Sequence, residues 1–244
     1  MYTVNAPSIG VAHREAVGKI ITYGVSGITE DKELVVYLEE PLCIHVSNPL
    51  HDYNKDVNSS YGAKFDEQYV HKTTHITPRK NDGMDAVYTY GNRIRDYLQP
   101  YGLFGSDNMF SLVGDGDLEG LSAPAGYDQL EACWKKLQEN PNTRRASMST
   151  WIPWKDHESH DPPCIMVISL ERYREYLSLV AFIRSNDILM AWGQNAIALT
   201  AILELSALQL GCKVSYLETI SRNAHVYYKR DQNYLNDMGF KYDL

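Results

Sequence analysis

Apolar and polar positions alternate at helical spacing through residues 9–23, and the pattern stops near Gly24. Residues 33–47 (ELVVYLEEPLCIHVS) predict β structure broken by Pro41. From 48 to 85 the chain is polar and mixed, with a short helical patch around 65–71; a second short helix is expected through 92–97. Residues 127–138 (YDQLEACWKKLQ) set Leu130, Cys133, Trp134 and Leu137 on one stripe, which predicts an amphipathic helix stopped by Asn140-Pro141. Apolar runs at 165–170 and 177–183, separated by a charged turn (ERYREY), predict a hairpin. Residues 195–210 (NAIALTAILELSALQL) are apolar nearly all round and close at Gly211, so this helix is expected to be buried. Helices and strands of both kinds predict an α+β domain, and no repeat or low-complexity tract divides the chain.

Residues 98–126 (LQPYGLFGSDNMFSLVGDGDLEGLSAPAG) fit none of these patterns and exceed an ordinary connection in length. They are expected to be a functional loop or an insertion; capping a site, lengthening an interface and a neutral surface loop remain open alternatives. The 244 residues are 44% hydrophobic, enough for one sizeable core, and nothing forces a split. A net charge of −8 argues against a general nucleic-acid or membrane-surface partner, while leaving room for a small anion at a local arginine cluster. No apolar run approaches the roughly 20 residues of a membrane span, and MYTVNAPSIGVAHREAV lacks the apolar core of a secretion signal. Four cysteines (Cys43, Cys133, Cys164, Cys212) without a C-x-x-C pair suggest no disulfide framework, and a reducing cytoplasm is the simplest expectation.

Pro162-Pro163-Cys164 holds a cysteine at the start of a predicted strand behind two rigid residues. A cysteine in such a place is commonly a small core residue. Arg144-Arg145 precede it by about twenty residues, and Arg184-Ser185-Asn186-Asp187 follow at the end of the hairpin. Arginines near a thiol are expected to lower its pKa, and their forked donors grip phosphate. His157-x-x-His160-x-x-x-Cys164 has a spacing that a metal could use, but no fourth ligand accompanies it, and the cysteine is better explained as a nucleophile.

Taken in order, Asn140-Pro141-x-x-Arg144-Arg145, Pro162-Pro163-Cys164, Arg184-Ser185-Asn186-Asp187, Asn195 and His225-x-Tyr227 fall at the spacing of the thymidylate synthase family, which this chain resembles. Tyr90-Gly91 in YTYGNRIRDY is similar to that family's Tyr-Gly motif, and Asp128-Gln129 opens a helix in the matching place. Asn58-Ser59-Ser60-Tyr61-Gly62 offers a second, poorer Tyr-Gly candidate. The likeness covers roughly 86–97 and 127–231 and looks nearest to the short archaeal-type synthases; phage hydroxymethylases share the RSND motif.

The resemblance implies a mixed sheet packed with helices around a buried long helix, in a homodimer formed through the sheet with shared active sites. It implies that Cys164 adds to C6 of a pyrimidine mononucleotide, so that C5 attacks the one-carbon unit of 5,10-methylenetetrahydrofolate. Arg184 and Ser185 would hold the nucleotide phosphate within the subunit, and Arg144 and Arg145 would reach the phosphate of the neighbouring one. Asp187 would lie beside the folate ring, Asn195 would read the base edge, and His225 and Tyr227 would meet the sugar 3′-hydroxyl. Tyr90 would stand near the thiol. An amide at Asn195 suits uracil, whereas cytosine-specific relatives carry Asp there. The leading expectation is therefore reductive methylation of dUMP to dTMP. The alternatives are methylation or hydroxymethylation of dCMP, CMP or dUMP for modified DNA or a nucleoside metabolite, and a nucleotide binder without turnover.

The first third departs from the family. Its members carry a glutamate on an early helix for proton transfer at the base. Here that helix reads FDEQYVHKTTH, the glutamate position falls near Lys72, and the nearest acid is Glu67. An early phosphate-binding arginine is also missing around residues 24–27.

Overall fold

A Ser8 side chain accepting the Val11 N–H begins the first helix, and Ile9, Ala12, Ala16, Val17 and Ile20 form its buried stripe. The computed structural model describes residues 1–51, 63–76, 88–97 and 126–242. Along them run β1 (Tyr2–Ala6), α1 (Ile9–Tyr23), β2 (Val25–Ile28), β3 (Leu34–Tyr37), β4 (Leu42–Val46), α2 (Ala63–Thr74), α3 (Tyr90–Arg95) and α4 (Gln129–Glu139). There follow β5 (Ser147–Ser149), α5 (Pro153–Asp156), β6 (Ile165–Tyr173), β7 (Tyr176–Asp187), α6 (Trp192–Leu210), β8 (Lys213–Val226) and α7 (Gln232–Asp237). The eight strands make one mixed sheet in the order β1-β4-β8-β7-β6-β5, with β3 joining β8 and carrying β2. The pairs β1–β4 and β7–β8 are parallel and the others antiparallel. The architecture is that of an α+β protein.

One face of the sheet meets α1 and α6. Ile44, Leu179, Ala181, Ile183 and Leu217 are buried there with Ile202 and Leu203 of α6. The sequence marked α6 by its apolar composition, and Gly211 ends it in the left-handed conformation with φ 61°. Polar groups inside this layer find partners: Trp192 Nε1 donates to Thr219 Oγ1 at 3.0 Å and Trp134 Nε1 to Ser206 Oγ at 2.9 Å. On the other face Val167 and Phe182, paired across β6 and β7, are exposed.

The hairpin differs from its expected form. The hairpin forms, but its turn is shorter than ERYREY: β6 continues to Tyr173, β7 starts at Tyr176, and only Arg174 and Glu175 connect them, Arg174 at φ 56°. Charged side chains can ride the outer positions of extended strands, so they do not mark the turn. At its other end β7 runs on through Arg184–Asp187, pairing Ser185 with Asn223 and Asp187 with His225 of β8.

The expected insertion at 98–126 lies, apart from Gly126, outside the described residues, as do Asn58–Gly62 with the second Tyr-Gly candidate. Tyr97 and Tyr127 exchange both backbone hydrogen bonds, at 3.0 and 2.9 Å, so the chain leaves and re-enters at one place. Among the described residues, no helix is long and apolar enough to cross a membrane.

Candidate active site

Strand direction gathers the site. Because β6 is antiparallel to β7, Cys164 at the foot of β6 sits beside the end of β7, where the Arg184 N–H donates 2.9 Å to the Cys164 carbonyl. Because β8 is parallel to β7, His225 and Tyr227 arrive at that same end. The chain then turns at 188–191 into α6 and delivers Asn195 in its first turns. Two short helices close the group: α2 brings Tyr69, whose hydroxyl donates 2.6 Å to Asn195 Oδ1, and α3 brings Tyr90, whose hydroxyl accepts the Ile165 N–H at 3.1 Å. Tyr88 meets Tyr90 edge-on, with ring centroids 5.4 Å apart.

Arg184 is committed partly to the backbone. Its Nε and Nη2 donate to the Pro163 and Pro162 carbonyls at 3.0 and 2.7 Å, which fixes the segment carrying the thiol. Its guanidinium carbon also lies 5.8 Å from the Trp151 ring centroid. Asp187 accepts the Met190 N–H at 3.0 Å and Arg230 Nη2 at 2.8 Å, and Arg230 lies 4.0 Å over the Tyr227 ring. His225 Nδ1 donates 3.0 Å to Asn223 Oδ1, which leaves Nε2 as an acceptor.

A model of the family described as thymidylate synthase matches residues 32–238. The chain belongs to the thymidylate synthase family. Among curated relatives, a protein of Methanothermobacter marburgensis named "Putative thymidylate synthase" is 28% identical over 67% of this chain and 57% of its own length. Proteins of the same name from Methanosarcina barkeri and Methanocaldococcus jannaschii are 36% and 26% identical, over 59% and 96% of this chain and 54% and 95% of their own lengths. The chain thus spans little more than half the length of the first of these relatives.

Of the residues singled out for this family, Cys164, Tyr90, Arg184, Ser185, Asp187, Asn195, His225 and Tyr227 lie at this end of the sheet. Arg144 and Arg145 do not join them; both are exposed on the connection ahead of the edge strand β5. Three residues escaped the sequence reading: Tyr69, Tyr88 and Arg230. Tyr69 stands in FDEQYVHKTTH, the helix on which the family resemblance implies a glutamate. Glu67 of that helix is exposed, and the residue that reaches Asn195 is the tyrosine. The run DEQYV gives no hint of this, because only the packing of α2 on α6 decides which face points inward.

Burial dominates the electrostatics. It raises the Cys164 pKa above the ordinary thiol value, with Arg184 pulling the other way and Asp161 and Asp187 adding to the rise. The expectation that arginines would leave this thiol acidic is therefore corrected: one guanidinium, turned partly to carbonyls, does not outweigh desolvation. Burial likewise raises Asp187 against the opposing Met190 hydrogen bond and Arg230, and lowers His225 to about 4. The hydroxyls of Tyr69 and Tyr90 are held protonated by burial, far above the usual phenol range. His157 of the histidine–cysteine spacing packs edge-on against Trp151 at 5.5 Å, and among the described residues no group of three or more His, Cys, Asp or Glu is placed to hold a metal ion.

Proposed function

We propose that this protein transfers a one-carbon unit to C5 of a pyrimidine mononucleotide, with dUMP to dTMP as the leading reaction. The support is one observation: in a chain of this family, Cys164, Arg184, Asp187, Asn195 and His225 meet at one end of the sheet. Cys164 gives its proton to solvent water and, as the thiolate, adds to C6. The electron pair moves through C5 toward O4, where the Asn195 amide donates, and C5 becomes the nucleophile. Burial opposes the loss of the thiol proton and Arg184 favours it. Arg184 and Ser185 take the phosphate, and Nη1 of Arg184, which makes no hydrogen bond among the described residues, is the donor at hand. His225, neutral near pH 7, accepts a hydrogen bond from the 3′-hydroxyl through Nε2, with Tyr227 beside it.

5,10-Methylenetetrahydrofolate supplies the one-carbon unit and, for a methyl product, the hydride. Asp187 fits a ring with amide and amine edges, because it is a largely buried carboxylate already accepting from the Met190 N–H and Arg230 Nη2. In this reading residues 1–244 form one catalytic domain with an insertion at 98–126. Two copies pair through the open sheet face near Val167 and Phe182, and the exposed Arg144 and Arg145 reach the phosphate of the partner subunit.

A second reading, hydroxymethylation of dUMP, dCMP or CMP, is favoured by one observation: α2 sets a phenol, not a carboxylate, against Asn195. Tritium release from C5-labelled nucleotide with methylenetetrahydrofolate tests both. Release from dUMP with a methyl product, abolished in Cys164→Ser while nucleotide affinity stays within about tenfold, is the expected result. A hydroxymethyl product selects the second reading. Absence of release from dUMP, dCMP and CMP, or full activity in Cys164→Ser, overturns the transfer reaction and leaves a nucleotide binder.

A further inference from the structure

An asparagine amide is a poor reader of pyrimidines on its own. Uracil presents an acceptor at O4 and a donor at N3–H, and cytosine presents the reverse; half a turn of the amide converts one match into the other. Asn195 in this fold is not on its own. The Tyr69 hydroxyl donates to its Oδ1 at 2.6 Å, from a helix that packs on the start of α6. Tyr69 sits within the body of α2, where Thr73 Oγ1 donates 2.8 Å to its backbone carbonyl. Tyr90 and Cys164 lie close enough to act on the phenol electrostatically.

A phenol O–H is a strong donor and its oxygen a weak acceptor. With Oδ1 toward Tyr69, the amide accepts from the better donor. After half a turn, the Nδ2–H would have to donate to the weaker acceptor. The amide oxygen keeps a second lone pair for N3–H, and among the described residues Nδ2 has no protein acceptor, which leaves it for O4.

We propose that Tyr69 is a positioning residue that locks the Asn195 amide in the orientation that selects uracil nucleotides over cytosine nucleotides. The proposal rests on the pyrimidine nucleotide site described above, and it gives the role to a phenol on the helix where the family resemblance implies a glutamate.

The test is calorimetric titration of the full chain with dUMP and dCMP, in the wild type, Tyr69→Phe, Asn195→Ala and the double variant. Phenylalanine keeps the ring and removes only the hydroxyl. The expected result is a wild-type preference for dUMP that falls about tenfold in Tyr69→Phe, with a melting temperature within about 3 °C of the wild type. In the Asn195→Ala background, Tyr69→Phe leaves the dUMP-to-dCMP ratio unchanged. A general loosening of the fold would weaken both nucleotides alike and would not move that ratio. A Tyr69→Phe protein with the wild-type ratio, one that changes the ratio without Asn195, or one that cannot fold overturns the proposal alone. A wild type that binds neither nucleotide sinks the nucleotide site itself, and that result is visible before any variant is made.

Discussion

At the scale of single residues, the groups at this site behave as their burial dictates. Burial shifts Cys164, Asp187 and the phenols of Tyr69 and Tyr90 toward their protonated forms, and His225 toward its neutral form. His225 carries a measurable consequence. Its pKa is about 4 in the folded protein, against 6.5 for an unperturbed histidine. Between those values the unfolded chain binds the proton and the folded one does not, so stability is lost as pH falls through that window. The loss due to this residue is on the order of 2 kcal/mol at pH 5. Urea unfolding at pH 7.5 and pH 5 is expected to show a larger drop for the wild type than for His225→Gln. An equal drop in both proteins would remove His225 as the cause.

Among the elements, α3 shows how a short helix is placed with few residues. Gly91 lies where a Cβ would come within 2.0 Å of the His75 carbonyl oxygen and 2.5 Å of that of Lys72, both backbone atoms at the end of α2. The close approach lets Tyr90 reach the Ile165 N–H. Arg93, on the next turn, makes a buried two-pronged pair with Asp156, at 3.0 and 2.7 Å, that ties α3 to α5. Gly91→Ala is expected to cost roughly 2–3 kcal/mol and to lower the melting temperature by about 5 °C or more. Gly211→Ala, where φ is 61° but nothing lies within 4 Å of the added carbon, is the comparison and is expected to cost only about 1 kcal/mol. Equal melting temperatures for the two variants would contradict the crowding at Gly91. The sequence made α1, α4, α6 and the β6–β7 pair legible through their apolar spacing. It hid β8, the longest strand, because Lys213–Val226 is largely polar. Thr219 and Ser221 are fully buried there, which is tolerable because Trp192 and Asn186 donate to them. Those partners are remote in sequence, so no local pattern announces the strand.

For the molecule as a whole, the mixture of parallel and antiparallel neighbours is what collects residues from 164, 184–187 and 225–227 at one end of one sheet. If two copies share their sites as proposed, lesions on opposite sides of the interface should complement one another. Co-refolding inactive Cys164→Ser with an inactive variant carrying Arg144→Ala and Arg145→Ala is expected to restore roughly a quarter of wild-type activity, because half the dimers are mixed and each mixed dimer keeps one intact site. Absence of recovery in a mixture that has demonstrably exchanged subunits would place those arginines outside the site. The sequence by itself determined the order and spacing of the RR, PPC, RSND, Asn195 and HVY motifs, and with them the family, because these depend only on which residues follow one another. The tertiary structure alone decided that a phenol from α2 meets Asn195, that Arg184 grips the carbonyls ahead of the thiol, and that desolvation outweighs that arginine at Cys164. Which face of a helix turns inward, and how much water a side chain loses, are set by contacts between segments far apart in the chain.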